Sequence, residues 1–191
     1  MVLTLIIILL LLISLYSGAR RGLILQLVLT IGYSISFYFA LKYYQEISEY
    51  VKLLVPYPSP VSATDNPFVL YGKEIVFNLD QAFYNGVGFV GILLVGWIAT
   101  RFIGGLLKFI TEIPILKQLN AIGGAIIGVL VQYVGIFLIL FLLSVVPLDM
   151  IQNQFDASPI ARKIVSDTPE LSRNVYDWWV TEGLEEDIVT E

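Results

Sequence analysis

Gln26, Thr30, Tyr33 and Ser34 recur at steps of three and four residues in an otherwise apolar stretch, and Gln132 and Tyr133 interrupt a second one. On a helix the first four share a face. Such a stripe can line a hydrated path or join neighbouring helices by hydrogen bonds, and amide and hydroxyl groups in this setting more often do the second. No Asp, Glu, Lys or Arg stands in the middle of any long apolar stretch, and proton relays and ion-coupled transporters draw on such a residue. The chain has no histidine, which removes the commonest general base and metal ligand. It also has no cysteine, so a thiol nucleophile, a zinc–thiolate site and a disulfide are all absent. The expectation is a passive or structural protein, not an enzyme, with no catalytic residues, no metal and no cofactor.

The charged residues are few enough to be read one at a time. Of 191 residues 14% are charged and 57% hydrophobic, against about 25% and 45–50% in a soluble domain. With a mean hydropathy of +0.81, the excess of apolar residues calls for lipid as solvent. A net charge of −5 without a basic run argues against nucleic acid as a partner.

Four apolar stretches approach the roughly 20 helical residues that cross a hydrocarbon core of about 30 Å. They cover residues 1–19, 23–42, 82–100 and 121–146, the last closed by Pro147. The expected fold class is therefore all-α: an integral membrane bundle of four transmembrane helices in residues 1–147. Outside the spans it has a loop over 43–81, an interfacial segment over 101–120 and a helical tail over 148–181. Residues 182–191, with five acids, read as a disordered end.

Arg20 and Arg21 separate the first two stretches. They are compatible with a loop, a cut site after a signal peptide, or a functional site. A signal peptide carries its positive charge before the apolar core, whereas Met1-Val2-Leu3-Thr4 has no Lys or Arg. The pair reads better as a short loop, 17–22, behind an uncleaved helix. Orientation follows from basic residues near span ends. Segments 17–22 and 101–120 hold Arg20, Arg21, Arg101, Lys108 and Lys117, five of the eleven basic residues, while the much longer 43–81 and 148–191 hold Lys52, Lys73, Arg162, Lys163 and Arg173. The arginine side is expected to be cytoplasmic and both termini extracytoplasmic.

Smaller signals punctuate the connections. PYPSP at 56–60 and TDNP at 64–67 are turn sequences, and Asp80 reads as an N-cap of the third span. Ser158-Pro159 and Thr168-Pro169-Glu170 each put a capping hydroxyl before a proline at the first helical position. Leu171, Val175, Trp178 and Trp179 then share a face; the tryptophans suit the headgroup level, a partner's groove or packing on the 43–81 loop. Arg101, Gly105, Lys108 and Glu112 make one polar face of a short amphipathic helix, either a plain connector or a lipid-sensing gate.

Glycines supply the packing signal. Gly124 and Gly128 form a small-xxx-small pair continued by Gly135, and Gly88 and Gly91 stand in the third span. Small residues let helix backbones approach closely in lipid, so these positions mark packing within the bundle or a face for self-association.

Two motifs carry a resemblance to a known family. "ARRGLILQL" has Arg21 and Gly22 followed by an apolar helix, and "LNAIGGAIIG" has Leu119, Asn120, Gly124 and Gly128 at the start of the last span. Together with "FNLDQAFYNGVGF" before the third span, they resemble the colicin V production protein family, CvpA, in its lactic-acid-bacterial form. Ala121 stands where that family usually has Arg, and Leu25-Gln26 replaces a frequent charged pair, so the roles of those charges do not transfer. The resemblance implies a bacterial inner-membrane protein tied to production or export of a peptide toxin and to envelope homeostasis, with no known catalysis. The lipid bilayer and membrane-protein partners, or a second copy, are the expected partners. The alternative is a small channel or transporter subunit that oligomerises through Gly124 and Gly128.

Overall fold

The computed structural model of the chain describes residues 2–58, 68–72, 79–106 and 117–181. The regular structure among the described residues is all helical. Three long helices, α1 (Val2–Leu54), α2 (Leu79–Leu106) and α3 (Lys117–Ser144), are followed by three short ones, α4 (Asp149–Asp156), α5 (Pro159–Asp167) and α6 (Leu171–Tyr176). A π-helical turn, Asp177–Thr181, continues α6. The three long helices are each long and apolar enough to cross a membrane.

Expected spans 1–19 and 23–42 thus fall within one helix, and the described residues hold three long apolar helices where four spans were expected. The expected loop 17–22 shrinks to one residue. Ala19, Arg20 and Arg21 have high helix propensity and stay helical; only Gly22 departs, at φ 79° and ψ 170°. That region of backbone space is essentially open to glycine alone.

The other boundaries move outward. α1 continues to Leu54, with Lys52 paired to Glu49 at 2.8 Å, so the loop expected from residue 43 begins only after it. α2 starts at Leu79, which puts Asp80 inside the first turn instead of at the N-cap; its carboxylate there still complements the helix dipole. α2 also runs on to Leu106, so Arg101 and Gly105 belong to the long helix and not to a separate interfacial one. Residues 107–116 of that segment, including Lys108 and Glu112, lie outside the described residues, as do TDNP and the acidic end. α3 begins at Lys117 and stops at Ser144, ahead of Pro147.

In the tail, Ser158 caps α5 as its sequence predicts: its Oγ accepts the Ala161 N–H at 3.3 Å, with Pro159 at the first position. Thr168-Pro169 does not start α6. The Thr168 hydroxyl donates back to the Ile164 carbonyl at 2.5 Å, closing α5, and α6 begins only after Glu170, which adopts φ 61°. A threonine engaged with its own preceding turn no longer serves as a cap for the next helix.

The chain clusters into two compact units. The first comprises residues 1–5, 44–89 and 137–191, and Phe89, Phe137, Val145, Phe155, Val175 and Trp179 are buried in it. The second comprises 6–43 and 90–136, where Leu25, Leu29 and Ala40 are buried together with Ser14, Gln26, Ser36 and Thr100. Many large side chains of the second unit, such as Leu12, Ile31, Val95 and Phe102, are exposed, as a lipid-facing surface requires.

Candidate functional site

The second unit brings together the two short motifs singled out in the sequence. Ser14, Gly18 and Gly22 of α1 stand four residues apart, and they face Gly128, Gly124 and Asn120 of α3, also four apart and met in reverse order. The two stretches are therefore antiparallel neighbours along one seam. At its middle the backbones touch: a Cβ on Gly18 would run into the Gly124 carbonyl, and one on Gly124 into Gly18 and Gly22. At Gly128 a Cβ would sit 3.2 Å from the Gly18 Cα and the Ser14 carbonyl oxygen. The Ser14 hydroxyl donates to the Gly128 carbonyl at 2.7 Å.

Asn120 closes the seam at the Gly22 break. Interrupting a helix leaves the first N–H groups of the following stretch without an intrahelical acceptor. The Asn120 Oδ1 accepts the Leu23 N–H at 2.6 Å. Asn120 thus does for α1 what an N-cap residue does locally, from a different helix 97 positions away. The same amide lies against Gly22, where an added Cβ would come within 2.8 Å of its Cγ.

A second seam joins the later part of α1 to α2. Leu29 packs on Gly104, Thr100 on Gly32 and Ser36 on Gly96, again in antiparallel order. In the first unit Gly88 lies against the Tyr44 carbonyl and the Ser48 amide. The glycines named from the sequence therefore divide. Gly124, Gly128 and Gly88 are helix contacts, while nothing lies within 4 Å of where a Cβ would stand on Gly91 or Gly135.

The polar stripe does not act as one surface. Gln26 is buried, with its Oε1 lacking a hydrogen-bond partner. Thr30 donates to the Gln26 carbonyl in its own helix at 2.8 Å. Ser34 is exposed, and Gln132 is half-buried. Arg20 is exposed beside the Tyr16 ring, 5.8 Å from its centroid, and Arg21 is partly buried.

Sequence reasoning missed a polar cluster in the first unit. Pro147 follows the end of α3, whose last carbonyls lack helical partners. The Gln152 Nε2 donates to the Ser144 and Val146 carbonyls at 3.1 and 2.8 Å, and its Oε1 accepts the Val69 N–H at 3.1 Å. The Tyr57 hydroxyl donates to Val145 at 2.9 Å, and Tyr71 shares a hydrogen bond with Ser144 at 2.8 Å. Burial pushes both phenols well above their ordinary range, with the Asp80 charge adding to the effect at Tyr57, so both stay protonated. The one available signal was a glutamine three positions before Phe155 on the buried face of the amphipathic α4.

The tail tryptophans separate clearly. Trp179 is fully buried against Phe89 and Phe141, with ring centroids at 5.5 and 5.4 Å, and it fills the space left open by Gly86. Asn85 donates to the Trp179 carbonyl at 3.2 Å, and the Tyr44 hydroxyl to that of Trp178 at 3.0 Å. These bonds occupy carbonyls in the π-helical turn.

Among the described residues no three potential metal-ligating side chains converge. What the seams offer is close backbone packing and a capped helix break. Long apolar helices held this way define a multi-pass helical membrane protein. The chain belongs to the colicin V production protein family, whose profile matches residues 3–169. A relative from Bacillus subtilis strain 168, the uncharacterized transmembrane protein YshB, is 31% identical over 181 residues, covering 95% of this chain and 99% of YshB. No solved structure matches the chain.

Proposed function

We propose that this is a four-span protein of the bacterial cytoplasmic membrane that supports production or export of a peptide toxin, and envelope homeostasis more broadly, without catalysing a reaction. The observation that carries this reading is the family match over residues 3–169. Membrane-protein partners would supply the activity that this chain's own residues lack.

The break at Gly22 supports counting α1 as two passes. Residues 2–21 extend about 30 Å at 1.5 Å per residue, matching the hydrocarbon core. Residues 1–5 belong to the first unit, α1 enters the second at Ile6, and from Tyr44 it is again in the first. The density of basic residues near Arg20 and Arg101 supports a cytoplasmic side there, with both termini outside.

The channel reading relied on self-association through Gly124 and Gly128. That face is occupied within the chain by Gly18 and Ser14, so an oligomer would need another surface. Deleting the gene and assaying bacteriocin secretion and survival under envelope stress tests the favoured reading. A loss in either, restored by the wild-type gene, is expected. Both remaining unchanged would refute it.

A further inference from the structure

The short helix α4 is tied at both ends to the ends of long apolar helices. At its start it folds back on α3: the Gln152 amide donates to the Ser144 and Val146 carbonyls, and the Leu148 N–H donates to Val146 at 2.9 Å, turning the chain sharply between the two helices. Just past its end, Ser158 shares a hydrogen bond of 2.7 Å with Thr4 in the first turn of α1. All of these residues lie in the first unit. The eight residues of α4 span about 12 Å, close to the 8–10 Å or so between packed helices. It therefore lies across the helix ends, at the level where α1 begins and α3 stops.

Lipid sets that level. Residues 2–21 are just long enough for one pass, so Thr4 stands near the hydrocarbon edge; this step rests on the two-pass reading of α1 above. The end of the apolar α3 at Ser144 gives the same level without it. The exposed side of α4 is itself divided. With about 3.6 residues per turn, Met150 and Ala157 share one flank, and Asp149, Asn153 and Asp156 share the other, while Gln152 and Phe155 are buried behind them. Met150 is 76% exposed, and Leu148 before it and Ile160 in the first turn of α5 are also exposed. The half-buried Gln154 borders the Met150 flank, and an amide there suits headgroups better than hydrocarbon. We propose that α4 and the start of α5 form a membrane-surface element. Leu148, Met150 and Ile160 dip into the boundary between headgroups and acyl chains, as the apolar face of an interfacial helix does, and Asp149, Asn153 and Asp156 face water. This surface is independent of any role in toxin production.

The test uses the full, naturally cysteine-free chain in nanodiscs of phosphatidylglycerol and phosphatidylcholine. Met150→Cys, Ile160→Cys, Asn153→Cys, Ser166→Cys and Arg20→Cys each carry a nitroxide spin label at a position that is exposed, and circular dichroism should show equal helicity for all. Power-saturation electron paramagnetic resonance compares collisions with oxygen, which concentrates in lipid, and with a water-soluble nickel chelate. The logarithm of the oxygen-to-nickel ratio is expected to be positive at 150 and 160 and negative at 153 and 166. Negative values at 150 and 160 would overturn the proposal. Shielding of both positions from both agents would also overturn it, because a protein partner or second copy would then cover the flank. Position 20 tests the two-pass reading separately: an oxygen-rich label there refutes that reading, whereas nickel contact at 20, 150 and 160 together refutes the membrane-surface element alone.

Discussion

Gly22→Ala is the substitution that most directly strains the seam between the two motifs. At φ 79° and ψ 170° a residue with a Cβ adopts a backbone conformation reserved for glycine, at a cost of about 1–3 kcal/mol. The new methyl also meets the Asn120 side chain, 2.8 Å from Cγ and 2.9 Å from Oδ1. The amide then has to move off the Leu23 N–H, and losing a cap costs about 0.5–2 kcal/mol. The sum, about 1.5–5 kcal/mol, corresponds to a fall in melting temperature on the order of 10 °C for a chain of this length. The assay is a thermal melt of detergent-purified protein followed by size-exclusion chromatography or intrinsic fluorescence. Asn120→Ala alone should cost only the cap. In the double variant the methyl has no amide to displace and the cap is already absent, so its cost should fall short of the sum of the singles by about 0.5–2 kcal/mol, the cost of the cap. A Gly22→Ala protein melting within 2 °C of wild type, or strict additivity in the double variant, would refute this account of the junction.

The same geometry discriminates among other glycines. Gly124→Leu should destabilise by several kcal/mol because its side chain would enter the backbone of Gly18 and Gly22, whereas Gly91→Leu and Gly135→Leu, which face open space, should melt close to wild type. Gln152→Ala should leave the Ser144 and Val146 carbonyls and the Val69 N–H without their partner; at about 1–3 kcal/mol for each buried group left unsatisfied, it should destabilise more than Gln118→Ala at an exposed position of α3, in the same melt.

The apolar runs were legible because a 20-residue stretch without charge has few uses other than crossing lipid. The two motifs were legible as strings, and their resemblance to the family held. That Gly22-Leu23 and Asn120 meet was not, since a hydrogen bond between residues 97 apart leaves no local periodicity. Gly22 illustrates a second limit. Arginine pairs and a glycine fit a loop and a helix break equally well, and the choice depends on a cap that comes from α3. Gly124 and Gly135 share one helix and similar spacing, yet one faces a backbone and the other open space; which side of a helix is covered depends on its neighbours. Ser158 was read correctly because its cap is local, and Thr168 was misread because its hydroxyl turns back to Ile164. Tyr57 carries no signature beyond being polar near a proline, and Gln152 only its place on the buried face of α4.

The central claim is that Gly22 folds α1 into two membrane passes. The chain's lack of cysteine makes single-cysteine labelling in intact cells the direct measurement, with Val2→Cys, Arg20→Cys and Asp65→Cys compared using a membrane-impermeant maleimide. Two passes predict that positions 2 and 65 label from outside and position 20 only after the membrane is opened. Labelling of positions 2 and 65 from opposite sides would mean that α1 crosses once, and would contradict the account.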